Sequence, residues 1–398
     1  MAGQRTSGAS APPLPSVRQD DRKPTMSNTY RVGLIGFAHM HSNNVAGLFA
    51  KHPAVKLVAC ADTVPDVPEL REAAYTRGWN LTHALESLGV SKAYDDYYDM
   101  LEEEQLDLVI CCSENAQHPD VVEACADAGV GVCVEKPMAA SYADALQMVR
   151  ATQAAETALV INWPMTWSAA ARKAKALLDD GILGRILEVK LRLGHTGPLG
   201  PGAAHAGVDE TAAPMTGTER GATWWHQEAA GGGAMLDYCC YGSMISRWYI
   251  GEQATAAVGM RANLDSQWGD ADDNGAMLVR FPGAMALLEG SWTMFDYGVP
   301  GGPLIYGTQG TMVVSEKDGP VRVERGGGVS ESFDCDPLPE GRTQIAEEVI
   351  HHLDTGDPLH PTLESRFNLE AMAILDAGVR SADSGKLELV ENAAWQIG

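Results

Sequence analysis

Apolar residues in the first part of the chain gather in short unbroken runs, and amphipathic stretches separate them. The segments 30–36, 55–61, 107–112, 130–134 and 158–162 read as strands, and 42–51, 68–79, 97–104, 115–128 and 142–155 read as helices. A run such as Leu108–Cys112 lacks the alternation of a strand with one wet face, so both faces should be covered. Alternating β and α with buried strands predicts a parallel sheet layered by helices. After a helix at 169–180 the pattern changes. Segments 186–193, 256–264, 276–281, 285–292 and 311–314 read as strands of a large, mostly antiparallel open sheet. Helices return at 343–353 and 363–384, and the last should pack back on the chain. The stretch 194–222 is rich in Gly, Ala, Pro and Thr; a loop that long is a lid, an arm or a binding loop.

The expected class is therefore α/β followed by α+β. A disordered arm at 1–28 precedes a Rossmann-type dinucleotide-binding domain at 29–155 and a substrate-binding and oligomerisation domain at 156–398.

Composition narrows the function. The 398 residues carry 29 Lys and Arg against 53 Asp and Glu, a net charge of −24. Such a surface repels phosphate backbones and anionic lipid, which argues against nucleic-acid and membrane partners. No apolar run approaches the ~20 residues of a spanning helix. The eight cysteines include no C-x-x-C pair and lie mostly in apolar text, which predicts reduced, buried thiols in a cytoplasmic protein.

The first strand ends in Gly36-Phe37-Ala38-His39-Met40-His41, where a dinucleotide fingerprint would read G-x-G-x-x-G. Gly36 can make the tight turn, and Ala38 is small enough for backbone N–H groups to approach a pyrophosphate. Asp62, 26 residues after Gly36, can accept from ribose hydroxyls. It would repel a 2′-phosphate, and no Arg follows at 63–64, which favours NAD over NADP. The H-x-H spacing of His39 and His41 suits a metal ion in an extended segment, but the sequence offers no evident third ligand, so no metal is expected.

Glu135-Lys136-Pro137 sits at the end of a parallel strand, where open sheets bind ligands. Lys136 could move a proton if its surroundings lower its pKa. Further on, Gly231-Gly232-Gly233 precedes Asp237 and Tyr241, which are i and i+4 on one helical face. A charged Lys136 opposite would lower the phenol's pKa. Trp163, Trp225 and His226 lie near these motifs in sequence and suit the faces and hydroxyls of a carbohydrate.

These motifs, taken in order over roughly residues 30–390, resemble the Gfo/Idh/MocA family, which includes glucose–fructose oxidoreductase and inositol dehydrogenases. The resemblance rests on the turn at 33–41, Asp62, the run Ser113-Glu114-Asn115-Ala116-Gln117-His118, Glu135-Lys136-Pro137, residues 231–241, and Gly307-Thr308-Gln309-Gly310-Thr311. It implies cofactor contacts from Gly36, Phe37, Ala38, His39, Met40, Asp62, Ser113, Glu114, Asn115, His118, Glu135 and Lys136. It also implies catalysis by Lys136 with Asp237, and Tyr241 where most members carry histidine. The eroded glycines, Cys239 in place of a glycine and Met244 in place of an acid are departures. The expectation is an NAD-dependent oxidoreductase acting on a hydroxyl of a sugar, glycoside or cyclic polyol, as a homodimer or homotetramer. Oxidation–elimination of a glycoside and a non-catalytic dinucleotide sensor are the alternatives.

Overall fold

A computed structural model describes residues 29–200, 202–206, 208–295 and 302–391. The arm expected at 1–28 lies outside the described residues.

Six strands form a parallel sheet: β1 (Tyr30–Ile35), β2 (Val55–Ala61), β3 (Ala93–Tyr94), β4 (Leu108–Cys111), β5 (Gly131–Glu135) and β6 (Leu159–Asn162). Their order is β3-β2-β1-β4-β5-β6, with every pairing parallel. The strand order reverses between β1 and β4, which is where such sheets open a ligand crevice. All four residues of β4 and all five of β5 are buried, as their unbroken apolar runs require. The helices α1 (His41–Ala50), α2 (Arg77–Glu86), α3 (Tyr97–Glu103), α4 (His118–Asp127) and α5 (Tyr142–Ala155) connect these strands.

One helix is displaced from its expected place. The segment 68–79 was expected to be helical, but α2 starts only at Arg77, with Thr76 extended at its N-cap. Two features stop an earlier start. Tyr75 has φ 74°, and Glu69 reaches forward to accept the N–H of Arg77 at 2.9 Å. A carboxylate on that orphan N–H satisfies a helix N-terminus.

The second sheet has nine strands: β7 (Ile186–Gly194), β8 (Ala256–Ala262), β9 (Asn274–Arg280), β10 (Met285–Ser291), β11 (Leu304–Gly307), β12 (Gly310–Val313), β13 (Val321–Glu324), β14 (Ser330–Phe333) and β15 (Glu388–Leu389). Their order is β14-β13-β12-β11-β7-β10-β9-β8-β15. Only β10 on β7 is parallel. Of these, β11, β13, β14 and β15 were not expected; they are two to four residues long and polar or glycine-bearing. The helices of this part are α6 (Ala169–Asp179), α7 (Gly217–Gly221), α8 (Cys240–Ile250), α9 (Ile345–Thr355) and α10 (Ser365–Ser384). Helix α10 joins the two layers. Its Asp376 accepts the N–H of Tyr142 at the start of α5, and its Ser381 accepts the N–H of Gly259 in β8. All eight cysteines are free thiols, and seven are buried.

Candidate active site

The tip of β5 delivers Lys136 into the protein, where its side chain is 3 % exposed. Its ammonium donates to Asp237 Oδ1 at 2.6 Å and to the Asp237 carbonyl at 3.2 Å. Trp292, just after β10, donates its indole N–H to Asp237 Oδ2 at 3.1 Å. Both carboxylate oxygens are thus engaged, as a buried charge requires. The Tyr241 ring lies below the ammonium, 4.8 Å from Nζ to its centroid, and meets Trp163 edge-on at 5.3 Å.

The local backbone explains how residues 237 and 241 both reach Lys136. Met235–Cys239 is a π-helical turn rather than the expected α-helix, and α8 continues from Cys240. Such bulges rotate a side chain relative to the next turn and recur at functional sites. Glycines before such a helix leave room for a ligand or another backbone, and here it is the protein's own chain that approaches. A Cβ on Gly232 would lie 2.3 Å from the Trp225 carbonyl, and one on Gly233 would lie 2.6 Å from Asp272 Oδ1. The Asn115 amide donates to the Gly231 carbonyl at 2.8 Å, and the Ala116 N–H to that of Ala230 at 3.2 Å.

Charge states follow from this geometry. Burial disfavours the Lys136 ammonium, but the Asp237 carboxylate more than offsets it and holds the pKa well above the ordinary lysine value. Burial pushes Asp237 up; Lys136 pulls it below the usual carboxylate value. Burial raises the Tyr241 phenol, outweighing the downward pull of Lys136. The lowered lysine and phenol values expected from sequence do not occur. The pair consists of a charged ammonium and a neutral phenol, both protonated.

The other end of the crevice is the turn after β1. Gly36 has φ +83°, and a Cβ there would lie 2.5 Å from the Ser113 nitrogen, so this glycine keeps its expected part. Asp62 Oδ1 accepts the N–H of Phe37 and of Thr63, each at 2.9 Å. Arg77 escaped notice in the sequence because it lies 15 residues beyond Asp62; its guanidinium pairs with Asp62 Oδ1 at 2.6 Å and also with Glu114. A cation therefore stands beside Asp62 after all, which weakens the electrostatic case against a 2′-phosphate. Thr63 Oγ1 donates to Glu114 Oε2 at 3.0 Å. Burial raises the Glu114 pKa, with Arg77 opposing. His118 is buried, with Nδ1 3.1 Å from the Met138 carbonyl.

Between these ends the turn is covered. The Trp224 indole donates to the Ala38 carbonyl at 2.7 Å, and Trp225 packs tilted against Trp224 at 4.0 Å and edge-on to the His39 ring at 4.5 Å. Phe37, Ala38 and His39 are buried beneath them, and Met40 packs at the edge of the same cluster. The His39 N–H donates to Cys112 O at 3.0 Å, and the His41 N–H to His39 Nδ1 at 3.1 Å. The cavity lined by Asp66, Glu69, Arg77, Glu114 and Trp224 has a volume of about 30 Å³, room for one water. Both ends of the crevice carry polar groups of the kind that bind a dinucleotide, whereas the middle of the turn, in this arrangement, offers a pyrophosphate neither space nor those two N–H groups.

Three side chains expected to meet substrate are packed inside. Trp163 donates to Asn368, Trp225 lies between Trp224 and His39, and His226 meets Trp268 and Trp292 at 6.0 and 5.2 Å. Burial pushes His226 down to about 3.

A reversed parallel sheet with an ammonium at a strand tip, facing a carboxylate from a second sheet-based layer, defines an oxidoreductase-like α/β architecture. Residues 30–163 match the family described as "Oxidoreductase family, NAD-binding Rossmann fold", and residues 171–313 match the Gfo/Idh/MocA C-terminal domain. The chain belongs to the Gfo/Idh/MocA family of oxidoreductases. It is 26% identical over 265 residues to the myo-inositol 2-dehydrogenase of Thermotoga maritima, covering 66% of this chain and 68% of the relative. The inositol 2-dehydrogenase of Rhizobium meliloti is 23% identical over 368 residues, 89% of this chain and 97% of the relative. Among solved structures, aldose-aldose oxidoreductase from Caulobacter crescentus, complexed with glycerol, is similar at TM-score 0.68 and 20% identity, covering 91% and 100% of the two chains. The WlbA dehydrogenase from Bordetella pertussis, in complex with NADH and UDP-GlcNAcA, reaches TM-score 0.69 at 22% identity, covering 93% and 100%. At these identities the structural likeness speaks to fold.

Proposed function

We propose that this protein transfers a hydride between a nicotinamide cofactor and a secondary hydroxyl or ketone of a sugar, glycoside or cyclic polyol. The observation that carries the reading is the buried Lys136–Asp237 pair at 2.6 Å, with the Tyr241 ring beside it, at the carboxyl end of β5. The bound nicotinamide supplies the hydride chemistry. The protein's own groups bind and orient the substrate oxygen and manage its proton.

The charge states give these groups distinct tasks. Lys136 and Tyr241, both protonated, are hydrogen-bond donors to a substrate oxygen. That arrangement suits a ketone oxygen gaining negative charge, which a fixed ammonium stabilises in a dry site. For a hydroxyl to be oxidised, one of the two must first release its proton. Asp237 and Trp292 keep the ammonium in place, so they are positioning residues. Gly36–Met40, Asp62, Ser113–Asn115, His118 and Glu135 form the cofactor side of this reading. Cofactor entry requires Trp224 to leave Ala38. Arg77 beside Asp62 makes both NAD and NADP worth testing, with NAD the expected cofactor of an NAD-binding family.

The test is NADH formation, and the reverse, over a panel of sugars, glycosides and inositols, with Lys136→Ala alongside. Turnover that survives Lys136→Ala removes the assignment.

We also infer a cytoplasmic homo-oligomer, formed through the second sheet. Val258 and Leu278 face each other in register on β8 and β9, both 45% exposed, with Met260 at 78% and Met285 on β10 at 42%. An exposed apolar stripe of that kind is usually covered. Among the described residues, no helix is long and apolar enough to cross a membrane. A monomer by light scattering would remove the oligomer.

A further inference from the structure

The turn that departs most from a dinucleotide fingerprint gathers ligands of another kind. His39, His41 and Glu135 each present one ligand atom within 4.8 Å of the others. His41 comes from the first residue of α1 and Glu135 from the last residue of β5, brought together by the β1-β4-β5 order. The His41 Nδ1 to Glu135 Oε1 distance is 2.7 Å. A third imidazole, from His205 in the long loop, stacks 4.6 Å from His41.

The polar atoms in this cluster are short of partners. His39 Nε2 and His205 Nδ1 are both buried and have no hydrogen-bond partner among the described residues. An unsatisfied buried polar atom costs about 1–3 kcal/mol, and one cluster holds two. Glu135 is fully buried, and its second oxygen accepts from the Asn162 amide at 2.8 Å. A carboxylate fixed from behind by an amide is how metal ligands are oriented.

We propose that His39, His41, Glu135 and His205 form a site for a divalent first-row transition-metal ion. Three imidazoles and one carboxylate are the donor set of zinc, iron, manganese or cobalt rather than of calcium or magnesium. Two ligand atoms at about 2.1 Å from one ion stand at most ~4.2 Å apart. The 4.8 Å spread of the His39, His41 and Glu135 ligand atoms therefore closes with a movement below about 1 Å, and His205 completes the set by a turn of its ring beside His41. Ligation through His39 Nε2 moves that ring's proton to Nδ1 and gives up the weak 3.1 Å contact from the His41 N–H. The ion would lie on the turn, next in sequence to Lys136. It would supply a fixed positive charge where a standard fingerprint offers backbone N–H groups.

The site shares His39 and Glu135 with the cofactor side of the dehydrogenase reading, but ion binding is measured without cofactor or substrate, so the two readings are tested separately. The purified full-length chain is stripped with chelator, dialysed and titrated with Zn²⁺, and separately with Mn²⁺. Bound metal is read by elemental analysis and by the thermal midpoint. The expected result is one ion per chain, a raised midpoint, and affinity lower by more than ~100-fold in His39→Asn/His41→Asn. Because that variant alters a buried turn, two others accompany it. His205→Ala, on the covering loop, is expected to bind more weakly. Asn162→Ala, which removes the amide that holds Glu135 from behind, should lose roughly 10–100-fold. No ion bound by the wild type, or equal affinity in all three variants, overturns the site. NADH formation scored on the same samples shows whether the redox reading stands or falls separately.

Discussion

The two ends of one crevice in this protein have diverged to different degrees. At the β5 tip a lysine and a carboxylate form a buried ion pair beside a phenol, and both oxygens of the carboxylate are engaged. At the β1 turn the first glycine of the fingerprint is present, but Ala38 and His41 stand at the other two glycine positions and tryptophans lie over the backbone. The first end is constrained by buried charge: removing either Lys136 or Asp237 leaves an uncompensated ion in a dry site. The second end carries the Asp62–Arg77–Glu114 pairs at its flank, but its covered turn is held by ring packing, which tolerates exchange so long as volume is kept. A fold can therefore keep a buried charge pair at one end of a crevice while packed rings close the turn at the other.

The largest effect should come from Lys136→Ala. It strands Asp237, whose side chain is 11% exposed, and should cost roughly 3–5 kcal/mol in urea unfolding. Turnover should fall by about 10²–10⁴ at the same time. A variant as stable as the wild type would mean that the pair is not buried as described, and the contrast between the two ends would disappear. Next is Trp292→Phe, which keeps an aromatic ring but deletes the pyrrole part of the buried indole together with its N–H on Asp237 Oδ2. A hydrogen bond to a charged group is worth about 1.5–3 kcal/mol. The loss should be seen in unfolding and in a lower apparent lysine pKa in the pH–rate profile, since Asp237 would then be less firmly held.

Much of this was legible in the text. Unbroken apolar runs located β1, β2, β4, β5 and β6, because strands buried on both faces have nothing polar to interrupt them. Lys136, Asp237 and Tyr241 stood out because they occur at element ends and at helical spacing. What stayed hidden depends on chain paths. Arg77 reaches Asp62 only because α2 starts nine residues later than the pattern suggested. Trp292 serves Asp237 from a strand end in the other sheet. Glu135 faces His41 because β5 and α1 meet across β4, a juxtaposition with no signature in spacing. The π-turn at 235–239 changes which side chains share a face, and no residue preference announces it.

A third measurement concerns the acidic pocket beside the turn. Burial raises Glu69 to about 7, with the Arg77 N–H and guanidinium opposing. A carboxyl with a folded pKa above its unfolded value binds more protons when folded. Its contribution is therefore full below the unfolded value of 4.5 and is lost as pH rises to about 7. Glu69→Gln removes that titration. The urea midpoint should fall between pH 5 and pH 8 by less in the variant than in the wild type, with a difference of roughly 1–3 kcal/mol after discounting for solvent. Identical profiles would mean that Glu69 is as wet as a surface acid.

The smallest effect bears most directly on why the two ends differ. Trp224 holds the Ala38 carbonyl through one hydrogen bond of 2.7 Å, and a dinucleotide must replace it to reach the turn. Trp224→Phe removes that bond and leaves most of the ring volume. If the covered form competes with cofactor, weakening it raises the fraction of protein ready to bind, and apparent affinity rises by the same factor. A net hydrogen bond of about 1 kcal/mol corresponds to roughly a five-fold lower Kd for NAD, measured by titration calorimetry. Folding stability should drop by a similar amount, because the cover is a native contact. Weaker NAD binding in the variant would show that the indole belongs to the cofactor site and does not cover it. The tryptophan pair would then be the modified fingerprint itself, and both ends of the crevice would serve the nucleotide.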